Sequence, residues 1–154
     1  MNKIRIFSRK RLEKELQRGF LENVVVISFY DPNKEGTRAG YKPLDLRFRV
    51  EAFFMVGVHD LDPSALKDFG YTMDTYFKEA PRLAEFIYKA KARGYDIICQ
   101  CEYGQSRSAG CAAAILEHFS KNGIRVFASY SYYPNQLIFN KLLKALNMYK
   151  KSLS

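Results

Sequence analysis

The sequence predicts an α/β domain with three layers, α/β/α, around a mostly parallel central sheet. Three observations predict it. Asn23 to Phe29 and Ile97 to Cys99 are apolar, β-rich runs that read as buried strands. Segments of helical period alternate with the strand-like ones. The second run ends at Cys101 and passes through a turn containing Gly104 into an alanine-rich segment, Ser108 to Leu116, that reads as a helix.

Taken in order, Lys3 to Phe7 alternates enough for a first strand, and Ser8 is placed to cap a helix ending near Gly19. The buried strand Asn23 to Phe29 follows. Asp31 to Pro43 carries Asp-Pro, Gly36, Gly40 and Lys-Pro punctuation and reads as a charged loop. Arg47 to Val58 is strand-like, and HDLDPSALKDFG after it reads as a loop holding one helical turn. Thr72 to Gly94 has helical period with Tyr76, Leu83, Phe86 and Ile87 facing a core, and Pro81 inside it predicts a kink or two pieces. Ile124 to Tyr130 reads as irregular or extended, and Asn135 to Lys150 as a closing amphipathic helix. In such an architecture the functional site belongs at the carboxyl ends of the strands.

The chain has 154 residues and 47% hydrophobic composition, enough for one domain over residues 1–154 with a sizeable core. Twenty-five basic against sixteen acidic residues give a formal charge of +9, which favours acidic partners without indicating nucleic acid. Arg9, Lys10 and Arg11 form the one compact basic cluster. No apolar run approaches the roughly 20 residues a membrane span requires, and MNKIRIFSRK returns to charge too soon for a secretory signal. Three cysteines without such a signal fit reduced thiols in a cytoplasmic setting.

The chemistry concentrates in DIICQCEYGQSRSAG, Asp96 to Gly110. A loop between a strand end and a helix N-terminus aims backbone N–H groups inward, where the helix dipole favours an anion. The turn returns Arg107 towards Cys101, and a planar guanidinium binds two oxygens of an oxyanion at once. Cys101, Gly104, Arg107 and Ser108 together resemble the Cys-x5-Arg-Ser/Thr signature of the cysteine-based protein tyrosine phosphatases. The position of the signature and its alanine-rich helix are similar to the small dual-specificity type, and so is the closing YYPNQLIFNKLLKAL. The resemblance implies that Cys101 is the nucleophile and forms a phosphocysteine. Arg107 would clamp the phosphate, Ser108 would donate to the leaving thiolate, and Glu102, Tyr103, Gly104, Gln105, Ser106 and Arg107 would form the phosphate-binding loop. Gln100 departs from the family, which usually has His there; Gln hydrogen-bonds but cannot become cationic.

A phosphate monoester leaves as a poor leaving group unless a carboxylic acid protonates it. VGVHDLD offers Asp60 and Asp62 at a strand end. Asp60 is favoured because Val56, Val58 and Asp60 resemble the family's strand-to-acid step, whereas Asp62 before Pro63 suits a turn or a cap. Neither His59 nor His118 has a partner at metal-ligand spacing, so no metal or other cofactor is expected. Cys99 and Cys111 read as small buried hydrophobes, with a resolving role under oxidation as the alternative. Tyr130, Tyr132 and Tyr133 read as half-buried packing residues rather than a stacking surface. The expected substrate is a phosphorylated protein or peptide carrying phosphotyrosine, with phosphoserine and phosphothreonine as a wider range. The same chemistry on a phosphoinositide or an RNA 5′-phosphate, and a non-catalytic phosphate-binding module, are the alternatives.

Overall fold

A computed structural model describes residues 3–32 and 40–154. Four strands, β1 (Ile4–Ser8), β2 (Leu21–Tyr30), β3 (Val50–Gly57) and β4 (Asp96–Cys101), form one sheet in the order β1-β4-β2-β3. Every neighbouring pair is parallel. The helices are α1 (Arg9–Leu16), α2 (Ala80–Ala92), α3 (Arg107–Ser120), α4 (Ile124–Phe127) and α5 (Gln136–Ser152).

The apolar runs are continuous because both faces of the sheet are covered. Val25, Ile27 and Ile97 point into a core shared with Leu83 and Ile87 of α2, Ile115 of α3 and Leu142 of α5. Val24, Val26 and Ile98 point the other way, against Phe7, Leu12 and Leu16 and against Leu46 from the segment before β3. Burying each such side chain stabilises by about 1.5–3 kcal/mol, so a charge at these alternating positions would be costly on either face. Ser8 caps α1, its Oγ accepting from the Arg11 N–H at 3.1 Å. Near the start of β2 the register shifts between Leu21 and Val25, and Asn23 there has φ +60°, a conformation asparagine tolerates better than most residues.

Two segments differ from the sequence expectation. The helix expected over Thr72 to Gly94 begins only at Ala80, after turns that include Phe77 at φ +53°. Pro81 therefore lies in the first turn of α2, where its missing N–H costs nothing, and marks a start rather than a kink. The first half of the segment expected to be irregular or extended, Ile124–Phe127, is the short helix α4, anchored by buried Val126 against Ala109 and Ala113 of α3, and residues 128–130 are irregular. After β3, Pro63–Ala65 and Lys67–Phe69 form two short 3₁₀ turns. Part of the charged loop expected over Asp31 to Pro43 lies outside the described residues. Among those described, no helix is long and apolar enough to cross a membrane.

Parallel strands put their carboxyl ends on one side. Ser8 ends β1, Cys101 ends β4, Asp31 follows β2, and Val58 to Asp60 follow β3. Residues far apart in sequence therefore meet at one rim.

Candidate active site

Cys101 and Ser8 are register partners at the ends of adjacent strands. Beyond Cys101, Glu102 to Ser106 turn the chain into the first residue of α3, Arg107. The turn closes against the junction of β1 and α1: the Glu102 carbonyl accepts from the Arg9 N–H at 3.1 Å. Gly104 has φ +67°, and a Cβ there would stand 2.5 Å from the Ser8 nitrogen and 2.8 Å from the Phe7 carbonyl carbon. Those are backbone atoms, so a side chain could enter only by displacing the loop or the strand.

Cys101 is 3% exposed, and its Sγ lies 3.0 Å from the Ser108 Oγ. One residue back on β4, the Gln100 Oε1 accepts from the Ser28 Oγ at 2.5 Å, and both residues are buried. The residue standing where the family usually has His thus ties β4 to β2 beneath the loop.

The Arg107 side chain is almost fully buried. Its Nη1 donates to Asp31 Oδ1 at 2.8 Å and to the Val58 carbonyl at 2.9 Å, which holds the guanidinium between the ends of β2 and β3. Its Nε is buried without an acceptor among the described residues. An orphaned buried donor beside an anion-favouring helix start is a ready contact for an oxyanion.

Asp60 is exposed, and it is tied to the same loop. Its Oδ1 accepts from the Ser106 Oγ at 2.6 Å and from Asn135 Nδ2 at 2.9 Å. Asp62 stands apart from the loop: it caps the first 3₁₀ turn, accepting from the Ser64 Oγ at 2.6 Å and the Ala65 N–H at 3.1 Å. The Ser64 hydrogen bond, more than the capped backbone, holds its carboxyl below the usual range.

Asn135 joins three elements. Its Oδ1 caps α5 by accepting from the Ile138 N–H, its Nδ2 donates to Asp60 and to the Leu61 carbonyl, and its backbone N–H donates to the Ser106 carbonyl at 3.0 Å. Gly110 of α3 permits the approach, since a Cβ there would stand 2.5 Å from the Asn135 carbonyl oxygen. Buried Tyr76 completes the support, its hydroxyl donating to the His59 carbonyl at 2.5 Å, and burial pushes that phenol up to about 12.

The other chemical candidates lie elsewhere. His118 bonds Tyr88 and Asn147, and burial holds it below its ordinary value. Cys99 and Cys111 are fully buried with their sulfurs 3.7 Å apart; burial first, then the Cys99 contact, pushes the Cys111 thiol well up. Of the three tyrosines expected to be half-buried, only Tyr132 packs inward; Tyr130 and Tyr133 are exposed, because the segment before α5 crosses the surface.

Asp31, Asn135 and Ser28 are the contributors that the sequence reading passed over. Asp31 had a usable signal, since it follows an apolar strand as the Asp60 region follows the next. The Pro-Asn step before α5 signalled a cap but not its second bond to Asp60.

No protein-family model matches the chain, and no curated protein matches it in sequence. Solved structures do resemble it. The human tyrosine phosphatase-like serine/threonine/tyrosine-interacting protein superposes with a TM-score of 0.54 at 19% identity, over 93% of this chain and 87% of the other. PTPMT1 in complex with PI(5)P gives 0.54 at 14% identity, over 99% and 95%. A variant of human DUSP28 gives 0.51 at 19% identity, over 97% and 92%. The chain has a dual-specificity phosphatase-like fold. At these identities the likeness carries the fold, and the chemistry of this dual-specificity phosphatase-like chain rests on its own side chains. One consequence concerns Asp31. Asp31→Ala leaves the buried Arg107 without its carboxylate and is expected to cost about 1–3 kcal/mol of stability. Inorganic phosphate should restore much of that loss by giving the guanidinium an anion; thermal melts with and without phosphate check it.

Proposed function

We propose that the chain is a cysteine-dependent phosphatase, its residues 1–154 forming one domain, acting on phosphotyrosine in a protein or peptide, with phosphoserine and phosphothreonine as the wider range. The observation that carries this reading is the bond from the Ser106 Oγ to Asp60 Oδ1, which ties a carboxyl group to the loop between the thiol and the arginine. A module that only binds phosphate has no need of an acid there. In the first step the Cys101 thiolate attacks phosphorus, the bond from phosphorus to the leaving oxygen breaks, and Asp60 gives that oxygen its proton. Arg107 and the loop N–H groups hold the equatorial oxygens. In the second step Asp60 takes a proton from water as it attacks, the sulfur–phosphorus bond breaks, and Ser108 donates to the departing thiolate. Inorganic phosphate and the free hydroxyl are the products, and the cycle calls on no metal or other cofactor.

The loop interior favours a singly phosphorylated substrate. Glu102, Tyr103, Gln105 and Ser106 supply no cation beyond Arg107, so a phosphoinositide headgroup or an RNA end gains no added charge inside it. Parallel kinetics on a phosphotyrosine peptide, a phosphoinositide and a 5′-phosphorylated RNA test this, and the peptide is expected to have the highest kcat/KM. A higher kcat/KM for either other substrate would overturn the assignment.

Mild peroxide is expected to inactivate the enzyme through Cys101, with phosphate protecting it, because thiolate character and access select the oxidised cysteine. Cys99 and Cys111 are sealed in the core. Peptide mass spectrometry showing Cys111 modified first, with Cys101 intact, would contradict the assignment. The reducing, cytoplasmic setting read from the cysteines belongs to this proposal, since the enzyme needs its thiol free.

A further inference from the structure

The opposite flank of the sheet carries a second feature, independent of the chemistry at Cys101. β1 lies at the edge, pairing only with β4 among the described residues. The Lys3 carbonyl accepts from the Ile97 N–H, so by the alternation of a parallel ladder Lys3, Arg5 and Phe7 bond inward. Ile4 and Ile6 turn their N–H and C=O groups outward. Such an edge is a template for another strand.

The edge is also lined with cations on both faces. A groove of about 310 Å³ runs along it, with Arg5 and Arg11 on the α1 side, Arg125 and Tyr132 on the α3–α4 side, and an apolar floor that includes Ile6 and Val126. It continues into a second groove of about 570 Å³ that shares Arg5 and Arg125 and adds Lys3 and Lys91. Neither groove has a carboxylate in its lining. Arg5 reaches Asp96 at 3.3 Å through one Nη, while its Nε is buried without an acceptor among the described residues. The Arg11 guanidinium lies 4.2 Å from the centroid of the Phe7 ring, a stacking contact that positions the group at the edge without using its N–H bonds.

We propose that the β1 edge binds an acidic polypeptide segment as an added strand. The outward Ile4 and Ile6 groups would supply the main-chain ladder, and the arginines on the two faces would take carboxylates or phosphates from alternate residues of the incoming strand. A second copy of this chain fits poorly, because it would set the same cations against each other. A nucleic acid would use the charge but has no means of completing the ladder.

The test uses a short fluorescein-labelled peptide of Thr-Glu-Glu repeats, with anisotropy read at low and high salt and amide exchange read at Ile4 and Ile6. Binding that weakens with salt, together with slowed exchange at those two amides, is the expected result. Arg125→Glu, an exposed change on α4, should weaken binding by about tenfold while leaving aryl phosphate hydrolysis unchanged. Arg5→Gln should also weaken it, with circular dichroism verifying the fold. Absence of peptide binding, affinity unaltered by Arg125→Glu, or unaltered exchange at Ile4 and Ile6 would each overturn the proposal. So would tighter binding of a thymidine oligonucleotide of equal charge, which would make the groove a nucleic-acid face.

Discussion

Cys101→Ser is expected to reduce phosphate monoester hydrolysis by more than about 10³-fold, as the loss of a nucleophile does in enzymes that act through one. A hydroxyl in place of the thiol keeps the loop, the Arg107 contacts and the helix start, so binding of vanadate or phosphate should survive. Calorimetric titration of the variant with vanadate, beside its steady-state rate, separates the two roles. Arg107→Lys is the companion change. A lysine cannot span both Asp31 and the Val58 carbonyl while presenting a planar fork to the substrate, so binding and turnover should fall together. Near-normal kinetics in that variant would remove Arg107 from the clamp, and sustained turnover in a clean Cys101→Ser preparation would reject the thiolate mechanism.

Asp60→Asn is expected to slow turnover by on the order of 10²–10⁴ where proton transfer limits the rate. The substitution keeps an oxygen to accept from Ser106 and Asn135, so the loop should stay in place and the loss should be one of proton transfer. The defect should depend on the leaving group: small for nitrophenyl phosphate, larger for phenyl phosphate, largest for an alkyl phosphate. Because the acid form must be populated for the first step, the alkaline limb of kcat/KM against pH should flatten in the variant. Asp62→Asn should behave like the parent enzyme, because asparagine keeps the oxygen that caps the turn. The reverse outcome would move the acid two residues along the chain.

The layered α/β fold was legible because both buried runs are short, apolar and separated by helical period, and because a strand end, a glycine turn and an alanine-rich helix are adjacent in sequence. Cys101 and Ser108 sit within that one local unit, so their contact needed no tertiary information. The helix boundary at Ala80 was misread because apolar periodicity continues through the turns before it; the preference of Pro81 for a first turn was the better guide. The support of the site was largely illegible. Asp31 and Arg107 are 76 residues apart, and Asp60 and Asn135 are 75 apart, so each pair depends on the strand order that brings the ends of β2, β3 and β4 together. Gln100 illustrates the same limit: its departure from the family's His was visible, while its bond to Ser28 on the neighbouring strand needed the register.

The central claim is that phosphate passes through a covalent bond to Cys101. Rapid acid quench of the enzyme during turnover of a radiolabelled phosphotyrosine peptide, followed by digestion and mass spectrometry, tests it most directly. The account predicts label on the peptide containing Cys101, as a sulfur–phosphorus bond that is absent in Cys101→Ser. Sustained turnover with no label on Cys101, or with label on another side chain, would contradict it.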